Sequence, residues 1–473
     1  MCLATIFQHG YLGATTATLH DQQGTELINT FRQRTAECLV LGRYTRGGPH
    51  VLETVFGYIA IETFRTKDAQ MDVWMIINAA VHVALRMGLH RDPSHFGSRL
   101  TPFEGEMRRK CWATLCSLDA TYSALIGLPR LVRPHQTDAL DPRNLLDEDF
   151  DEDCVELPPG RPESDAATLP MLHVLAKCRL ARAWGALVDL THDVRPHAYA
   201  EVTAVERLLD QTRAALPPSL QWRSLTQSIT ETADVLMQQL FHDISLHRMA
   251  IILHRKYLAA SSNNTNNNSN NTNTSLSNGS SNSSGIDEAH HRRSRDVCIA
   301  SAMRILEHQQ TVDEETRPFG RLHPEAWRVT AILHHDFLLS MGVLCYYVEQ
   351  HGLDPAAALE PDLLERILAL LRRSYQIWVR LSADSQAAQK AVALLRVVLG
   401  ADGIGDGDEL REDDAVRAGD VATESSFPPA GPYAADSLAG YSFGSNLFPC
   451  FDVVMGMDVV MGEYGDTASF PVL

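Results

Sequence analysis

Two amphipathic helical patterns meet across a short polar loop within residues 67–153, and this arrangement restricts the fold more than any other feature of the sequence. Apolar residues recur at steps of three and four from Trp74 to Gly88, and again from Phe103 to Leu125. Such spacing places side chains on one face of a helix. The sequence therefore predicts two long helices that pack against each other as a hairpin.

Helix start and stop signals flank both patterns. Gly88 and Gly127 are predicted helix ends, because glycine adopts the left-handed closing conformation without penalty. Thr101 and Glu104 match a capping box, with a proline between them at the first helical position. We expect the intervening loop to satisfy the helix ends and to fix the turn. The residues assigned to this structural motif are Gly88, His90, Arg91, Asp92, Pro93, Thr101, Glu104, Arg108, Arg109, Gly127 and Pro129.

Helical periodicity continues on both sides of this hairpin, with short polar connections between the predicted helices. Consecutive amphipathic helices bury their apolar faces on their neighbours, so the sequence predicts an all-α fold of antiparallel helices over residues 25–400. An irregular N-terminus is expected at residues 1–24. Residues 130–168 lack helical period, contain five prolines and end in a cluster of acids, which indicates a long surface loop.

Two segments have compositions typical of disorder. Residues 261–285 are almost entirely Ser, Asn and Thr and cannot bury enough apolar area to offset ordering. Residues 401–473 hold fourteen Asp or Glu against two Arg, so this tail supplies most of the formal net charge of -18. The tail interleaves acids with aromatic residues such as Phe443, Phe448 and Phe451, which is typical of activation domains. A solvated tail with no partner is the alternative interpretation.

Composition excludes several broad classes of protein. A net charge of -18 argues against a general basic surface for nucleic acid. No apolar run approaches the ~20 residues that a transmembrane helix needs, so no membrane association is expected. The N-terminus lacks the basic region of a secretory signal, which favours a reducing compartment. Nine scattered cysteines agree with this, since an odd number without regular spacing predicts no disulfide framework.

Catalytic signatures are absent from the sequence, and we expect no enzyme activity. There is no G-x-S-x-G, no phosphate-binding G-x-x-x-x-G-K-[ST] and no G-x-G-x-x-G. The run His334-His335-Asp336 resembles the adjacent His-Asp pair of metal-dependent phosphohydrolases, which need further His and Asp ligands. A metal-dependent hydrolase on a helical scaffold is thus one alternative, and a passive helical scaffold is another.

Five short motifs follow one another in order along the central stretch. They are GLHRDPS at 88–94, Glu106 with the basic trio 108–110 and Trp112, Leu118-Asp119, GLPR at 127–130, and DPRNLLDEDFDED at 141–153. This series resembles the middle homology region of fungal binuclear zinc cluster (Zn2Cys6) transcription factors, and the likeness extends more weakly from about 51 to about 348. The resemblance implies an all-helical regulatory domain in a nuclear regulator of RNA polymerase II transcription. A metabolic or secondary-metabolite pathway is the expected target.

The sequence departs from the family in the zinc cluster, which uses six cysteines spaced C-x2-C-x6-C twice. No C-x2-C occurs, and the nearest cysteines, Cys111 and Cys116, are expected to pack inside a helix. Either the cluster lies upstream of a start placed too late, and zinc is expected only there, or the chain acts as a coregulator or inhibitor. The expected partners are the transcription machinery or coregulator proteins. The chain is expected to contact DNA only indirectly or through a missing N-terminal domain. A second copy is also a candidate partner, in a homodimer.

The family resemblance also permits a small-molecule effector. A cavity beside the hairpin could hold a metabolite that shifts the domain between two states. The alternative is that the hairpin turn has a structural role alone. The candidate wall residues of such a cavity are Trp74, His82, Arg86, Trp112 and Asp119.

Overall fold

A computed structural model describes residues 20–65, 71–195, 197–258, 281–352, 361–382 and 385–400. These residues form helices and irregular connections without any β-strand, which confirms the all-α prediction. The α-helices are α1 (His20–Leu41), α2 (Val51–Arg65), α3 (Met71–Arg86), α4 (Pro102–Ile126), α5 (Leu169–Thr191), α6 (Tyr199–Ala214), α7 (Ala233–His254), α8 (Ser281–Glu315), α9 (Ala326–Gly352), α10 (Pro361–Leu381) and α11 (Gln386–Leu399).

Consecutive helices bury their apolar faces in three successive cores. The first core lies among α2, α3 and α4, the second among α4, α5, α6 and α7, and the third among α7 to α11. Helix α4 belongs to two cores, since Leu115 packs in the first and Ala120 in the second. Helix α7 does the same with Met249 and Leu240. These two helices therefore join the array into one continuous unit.

The predicted helix boundaries around the hairpin are confirmed. Gly88 has φ +75° and Gly127 has φ +77°, and the Gly127 N–H donates to the Ser123 carbonyl at 2.9 Å. At the start of α4 the Thr101 hydroxyl accepts from the Glu104 N–H at 3.1 Å. The Glu104 carboxylate accepts in turn from the Thr101 N–H at 2.8 Å. The capping box thus satisfies two donors that the helix itself leaves unpaired.

The connection from 130 to 168 is irregular, as predicted, but it is packed against α4 and α5. Leu145 and Phe150 are buried, and the Phe150 ring lies 5.5 Å from that of Phe103. The Asn144 amide donates to the Arg161 carbonyl at 2.9 Å, within the same connection. The surface-loop prediction was incomplete because isolated apolar anchors without a period hold this segment in place.

Two helices begin earlier than predicted. Helix α1 starts at His20, inside the segment 1–24 expected to be irregular, and α8 starts at Ser281, inside the insertion expected over 261–285. Helix propagation costs less than nucleation, so a packed helix can extend into polar sequence. The remainder of that insertion, residues 1–19 and the tail 401–473 with Phe443, Phe448 and Phe451 lie outside the described residues. None of the described helices combines the length and apolar character needed to cross a bilayer.

Candidate regulatory site

The turn between α3 and α4 is closed by side chains of α4. The Arg108 guanidinium donates to the Met87 carbonyl at 2.7 Å, and it lies 5.2 Å from the centre of the Phe96 ring. Arg108 therefore satisfies a carbonyl that the end of α3 leaves without an intrahelical partner. Pro93 packs against α4 at Gly105, where a Cβ would lie 3.1 Å from the proline ring. Glycine at this position permits the close approach.

Asp92 forms the centre of the turn. Its two carboxylate oxygens each accept from the Arg109 guanidinium at 2.9 Å, and they also accept from the N–H groups of Ser94 at 3.1 Å and Leu140 at 3.2 Å. The residue is only 4% exposed. Burial opposes its ionisation, but the hydrogen bonds from Arg109 and the two backbone groups outweigh burial and hold the pKa of Asp92 far below its ordinary value.

A strap, defined as residues 130–143, crosses α4 and is fastened to this turn. The Asp138 carboxylate accepts from the Asp92 N–H at 2.9 Å, from Arg91 at 3.1 Å and from the His95 ring at 2.8 Å. The Asp92 N–H is the main cause of the lowered pKa of Asp138, and Arg91 and His95 lower it further. The strap is thus attached to the turn by charged and backbone hydrogen bonds.

Thr137 adds a second attachment of the strap. Its hydroxyl donates to the His90 carbonyl at 2.9 Å and accepts from the Trp112 indole N–H at 2.8 Å. The same hydroxyl therefore joins the turn, the strap and α4. The His90 and Trp112 rings meet edge to face with centroids 6.2 Å apart. His90, Arg91 and Asp92 thus occupy the turn that the sequence assigned to them.

Buried charges extend the attachment toward the end of the strap. Glu106 is fully buried, and its carboxylate accepts from the Arg143 N–H at 2.5 Å and from Arg109 at 3.3 Å. Lys110 is also buried and pairs with Asp147 at 3.3 Å. The basic trio 108–110 therefore faces carbonyl and carboxylate groups of the same domain.

A cavity of about 420 Å³ lies between α4, α5 and the strap. Its inner wall is apolar and consists of Trp112, Cys116, Cys178, Ala181 and Ala186, among others. Burial raises the pKa of the Cys178 thiol to about 12 and that of Cys116 further still, so both thiols are protonated near neutral pH. The Trp112 indole N–H is already bonded to Thr137, which leaves an apolar ring toward the cavity.

The rim of the cavity is charged. Arg130 makes a two-pronged contact with Asp189 at 3.0 and 2.6 Å, and Arg133 donates to the same carboxylate. Arg182 contacts both oxygens of Asp141 at 2.9 Å. The rim thus carries three guanidinium groups and two carboxylates.

Gly185 of α5 gives the Arg130 guanidinium its place on the rim. A Cβ on Gly185 would lie 2.5 Å from the Arg130 Nη1 atom, so any larger residue would force the guanidinium to move. The glycine also leaves the two-pronged geometry with Asp189 undisturbed. Glycine in a helix interior costs about 1 kcal/mol relative to alanine, and close packing is the usual physical reason for it.

The five residues predicted to line an effector cavity are not brought together. Trp112 lines the cavity, but Trp74 donates to the Ser123 hydroxyl at 3.2 Å and is not among its walls. His82 and Arg86 are exposed on α3. The His82 ring contacts the Asn78 carbonyl at 2.8 Å, and the Arg86 guanidinium donates to the Thr45 carbonyl at 3.3 Å.

Asp119 has a different role from the predicted one. It is buried beneath the strap and accepts from the N–H groups of Leu131 at 3.1 Å and Val132 at 2.8 Å. Burial raises its pKa, while these two hydrogen bonds and the nearby Arg130 and Arg133 partly offset that rise. Asp119 therefore attaches the start of the strap to α4.

Several residues of the site were missed in the sequence. Asp138, Asp189, Thr137 and Gly185 lie outside any recognisable motif, and Asp189 is 59 residues from its partner Arg130. Arg130 and Asp141 stand in the motifs GLPR and DPRNLLDEDFDED, which marked the segment without showing what either residue contacts. Pro129, by contrast, follows Gly127 as an exposed residue after the end of α4.

The described residues do not fit a zinc cluster or another metal centre. No group of three His, Cys, Asp or Glu side chains among them could hold a metal ion. In the run 334–336, His334 packs edge to face on Trp378 at 5.3 Å, and Asp336 pairs with Arg248 at 3.0 Å. This run therefore has structural contacts on two sides.

Comparison with known proteins identifies the family. Residues 63–191, which span the hairpin, the strap and α5, match the family model described as "Fungal specific transcription factor domain". The chain shares this domain with fungal transcription factors, as the order of its central motifs indicated, and the relatives that match most of its length are named as transcription factors and not as enzymes. No solved structure matches the chain.

Three relatives show how far the similarity extends. The equisetin cluster transcription factor of Fusarium heterosporum is 37% identical over 91% of this chain and 58% of its own length. The fusarisetin A cluster transcription factor of a Fusarium species is 38% identical over 96% and 56%. A Zn(2)-C6 fungal-type transcription factor of Macrophomina phaseolina is 35% identical over 91% and 57%. The chain thus spans little more than half the length of these relatives.

Proposed function

We propose that this chain regulates RNA polymerase II transcription in a fungal nucleus and controls the genes of a secondary-metabolite cluster. The observation that supports this most directly is the match of residues 63–191 to the transcription factor domain, together with relatives named for the equisetin and fusarisetin A clusters. In this proposal the described helices form the regulatory domain. The tail 401–473 supplies the contact with the transcription machinery or a coregulator.

The contacts of the basic trio within the domain support a regulatory role for the helices. Arg109 is paired with Asp92 and Glu106, and Lys110 is paired with Asp147, so neither is available to a phosphate. Contacts with phosphate supply much of the affinity of DNA-binding proteins. We therefore assign DNA contact to a partner protein, or to a zinc cluster outside this sequence, and we propose a homodimer as the assembly.

A reporter assay tests the proposed function. The full chain is fused to a foreign DNA-binding domain, and reporter output in a fungal host is compared with that domain alone. We expect activation, which falls toward the background level when Phe443, Phe448 and Phe451 are all changed to Ala. Acidic segments engage their partners through such apolar anchors, so loss of the rings removes the contact.

A matched control separates the anchors from general damage to the tail. Changing Ser425, Ser426 and Ser437 to Ala alters three side chains of the same tail without removing an aromatic ring, and reporter output should persist. Protein amounts are compared by immunoblot. Equal output from the triple phenylalanine variant and the unchanged chain contradicts the role of the tail, and absence of activation by the unchanged chain contradicts the function as an activator.

A further inference from the structure

The cavity between α4, α5 and the strap has the size of a small-molecule pocket. It measures about 420 Å³ and is partly open to solvent. Pockets for small molecules occupy roughly 300 to 1,000 Å³ and combine mostly apolar walls with a few polar groups. Both properties are present here, since an apolar inner wall meets a charged rim.

The charges on the rim favour an anion. Arg130 and Arg133 both donate to Asp189, so two cations share one carboxylate at that end of the cavity. Arg182 and Asp141 form a separate pair at another part of the rim. An acidic group on a ligand would give Arg133 a carboxylate of its own and leave Asp189 to Arg130. The Arg133 side chain is 36% exposed, so it can reach the ligand without uncovering a buried charge.

We propose that this cavity binds a small molecule with an apolar body and a single acidic group. The body lies against Trp112, Cys178 and Ala186, and the acidic group meets the guanidinium of Arg133. Its role as an effector site rests on the proposed regulatory function, but binding itself does not. The strap carries the ligand's influence, because it lines the cavity and is attached to the turn through Thr137 and Asp138.

Two fluorescent probes with the same apolar body test the ligand class. Anilinonaphthalene sulfonate carries one negative charge, and phenylnaphthylamine carries none. We expect one saturable site on the purified full chain, with a dissociation constant about tenfold lower for the anionic probe, because hydrogen bonds to charged groups are worth at least that factor. Equal affinities for the two probes, or no saturable binding of the anionic one, would overturn the proposal.

Variants locate the site. Arg133→Gln should remove the preference for the anionic probe and leave binding of the neutral probe within about twofold. Ala186→Phe, at a partly exposed wall position, should fill the cavity and weaken both probes more than about tenfold. Arg207→Gln, which changes an exposed arginine of α6 away from the cavity, is the matched control and should leave both affinities unchanged.

A second wall variant and a second readout keep the test decisive. If Ala186→Phe loses helical circular dichroism, Ala113→Leu fills the same cavity from α4 and is measured in its place. Binding that persists in the folded wall variant overturns the site. Saturating anionic probe should also slow amide hydrogen exchange in residues 130–143. These measurements use purified protein, so a negative reporter assay and a negative binding assay are separate outcomes.

Discussion

The carboxylate of Asp92 is expected to contribute more to folding than any exposed ion pair in this chain. The change Asp92→Asn keeps the shape of the side chain and removes its charge. One oxygen accepts from Arg109 and the Ser94 N–H, and the other accepts from Arg109 and the Leu140 N–H. Whichever oxygen becomes an NH2 group, two donors then face a donor instead of an acceptor.

The size of the effect follows from the burial of the pair. Asp92 is 4% exposed, and the Arg109 side chain is 13% exposed. Removing one partner of a buried ion pair costs about 3 to 5 kcal/mol, because the remaining charge stays buried without compensation. Glu106 still contacts Arg109 at 3.3 Å and retains part of the compensation. We therefore expect Asp92→Asn to lower the free energy of unfolding by about 3 kcal/mol.

Urea unfolding of the full chain, followed by far-ultraviolet circular dichroism, measures this loss. Asp193→Asn is the matched control, since Asp193 also contacts an arginine, Arg195, through two nitrogens, but Arg195 is 83% exposed. Exposed pairs contribute little, so this variant should unfold close to the unchanged chain. Equal midpoints for the Asp92 and Asp193 variants would refute the reasoning.

Three further changes address a cap, a hydrogen bond and pH. Thr101→Ala removes the hydroxyl of the capping box and should cost about 1 kcal/mol in urea unfolding. Trp112→Phe keeps most of the ring but loses the bond to Thr137, so a similar loss of about 1 kcal/mol is expected, with faster proteolysis of the strap. Burial holds the pKa of His242 at about 3 and that of His247 at about 4, so the folded chain keeps both rings neutral while the unfolded chain protonates them. Stability should therefore fall as pH drops below about 6.5, by about 1.4 kcal/mol per pH unit for each histidine, and His247→Gln should show a shallower slope between about pH 6.5 and pH 5.

Local signals made the helices and their ends predictable. The bonds between Thr101 and Glu104 and between Gly127 and Ser123 join residues three or four positions apart, so residue type at that spacing is nearly sufficient. The apolar period similarly identified the face that each helix buries. The early start of α8 at Ser281 was hidden, because a polar segment gives no period by which a helix is recognised.

The cavity could not be placed from the sequence, because its parts come from distant and irregular segments. Asp138 accepts a hydrogen bond from the Asp92 N–H, 46 residues away, and Asp189 accepts one from Arg133, 56 residues away. The prediction placed three wall residues on α3, Trp74, His82 and Arg86, and two on α4, Trp112 and Asp119. Periodicity shows that a helix has an apolar face but not which neighbour covers it. The structure places the cavity on the side of α4 that faces α5.

The arrangement of α4 determines which element can respond to a ligand. Helix α4 contributes to two cores through Leu115 and Ala120, and close-packed cores resist displacement. The strap contributes one buried residue, Val132, to the first core and is otherwise attached through hydrogen bonds to Asp119, His90 and Asp92. We therefore expect the strap to be the element that moves when a ligand enters the cavity. Because the Leu140 N–H of the strap donates to Asp92, movement of the strap alters the contacts of the Asp92 carboxylate in the turn. The strap thus provides a short physical route from the cavity to the turn, beside the direct contact between the rings of Trp112 and His90.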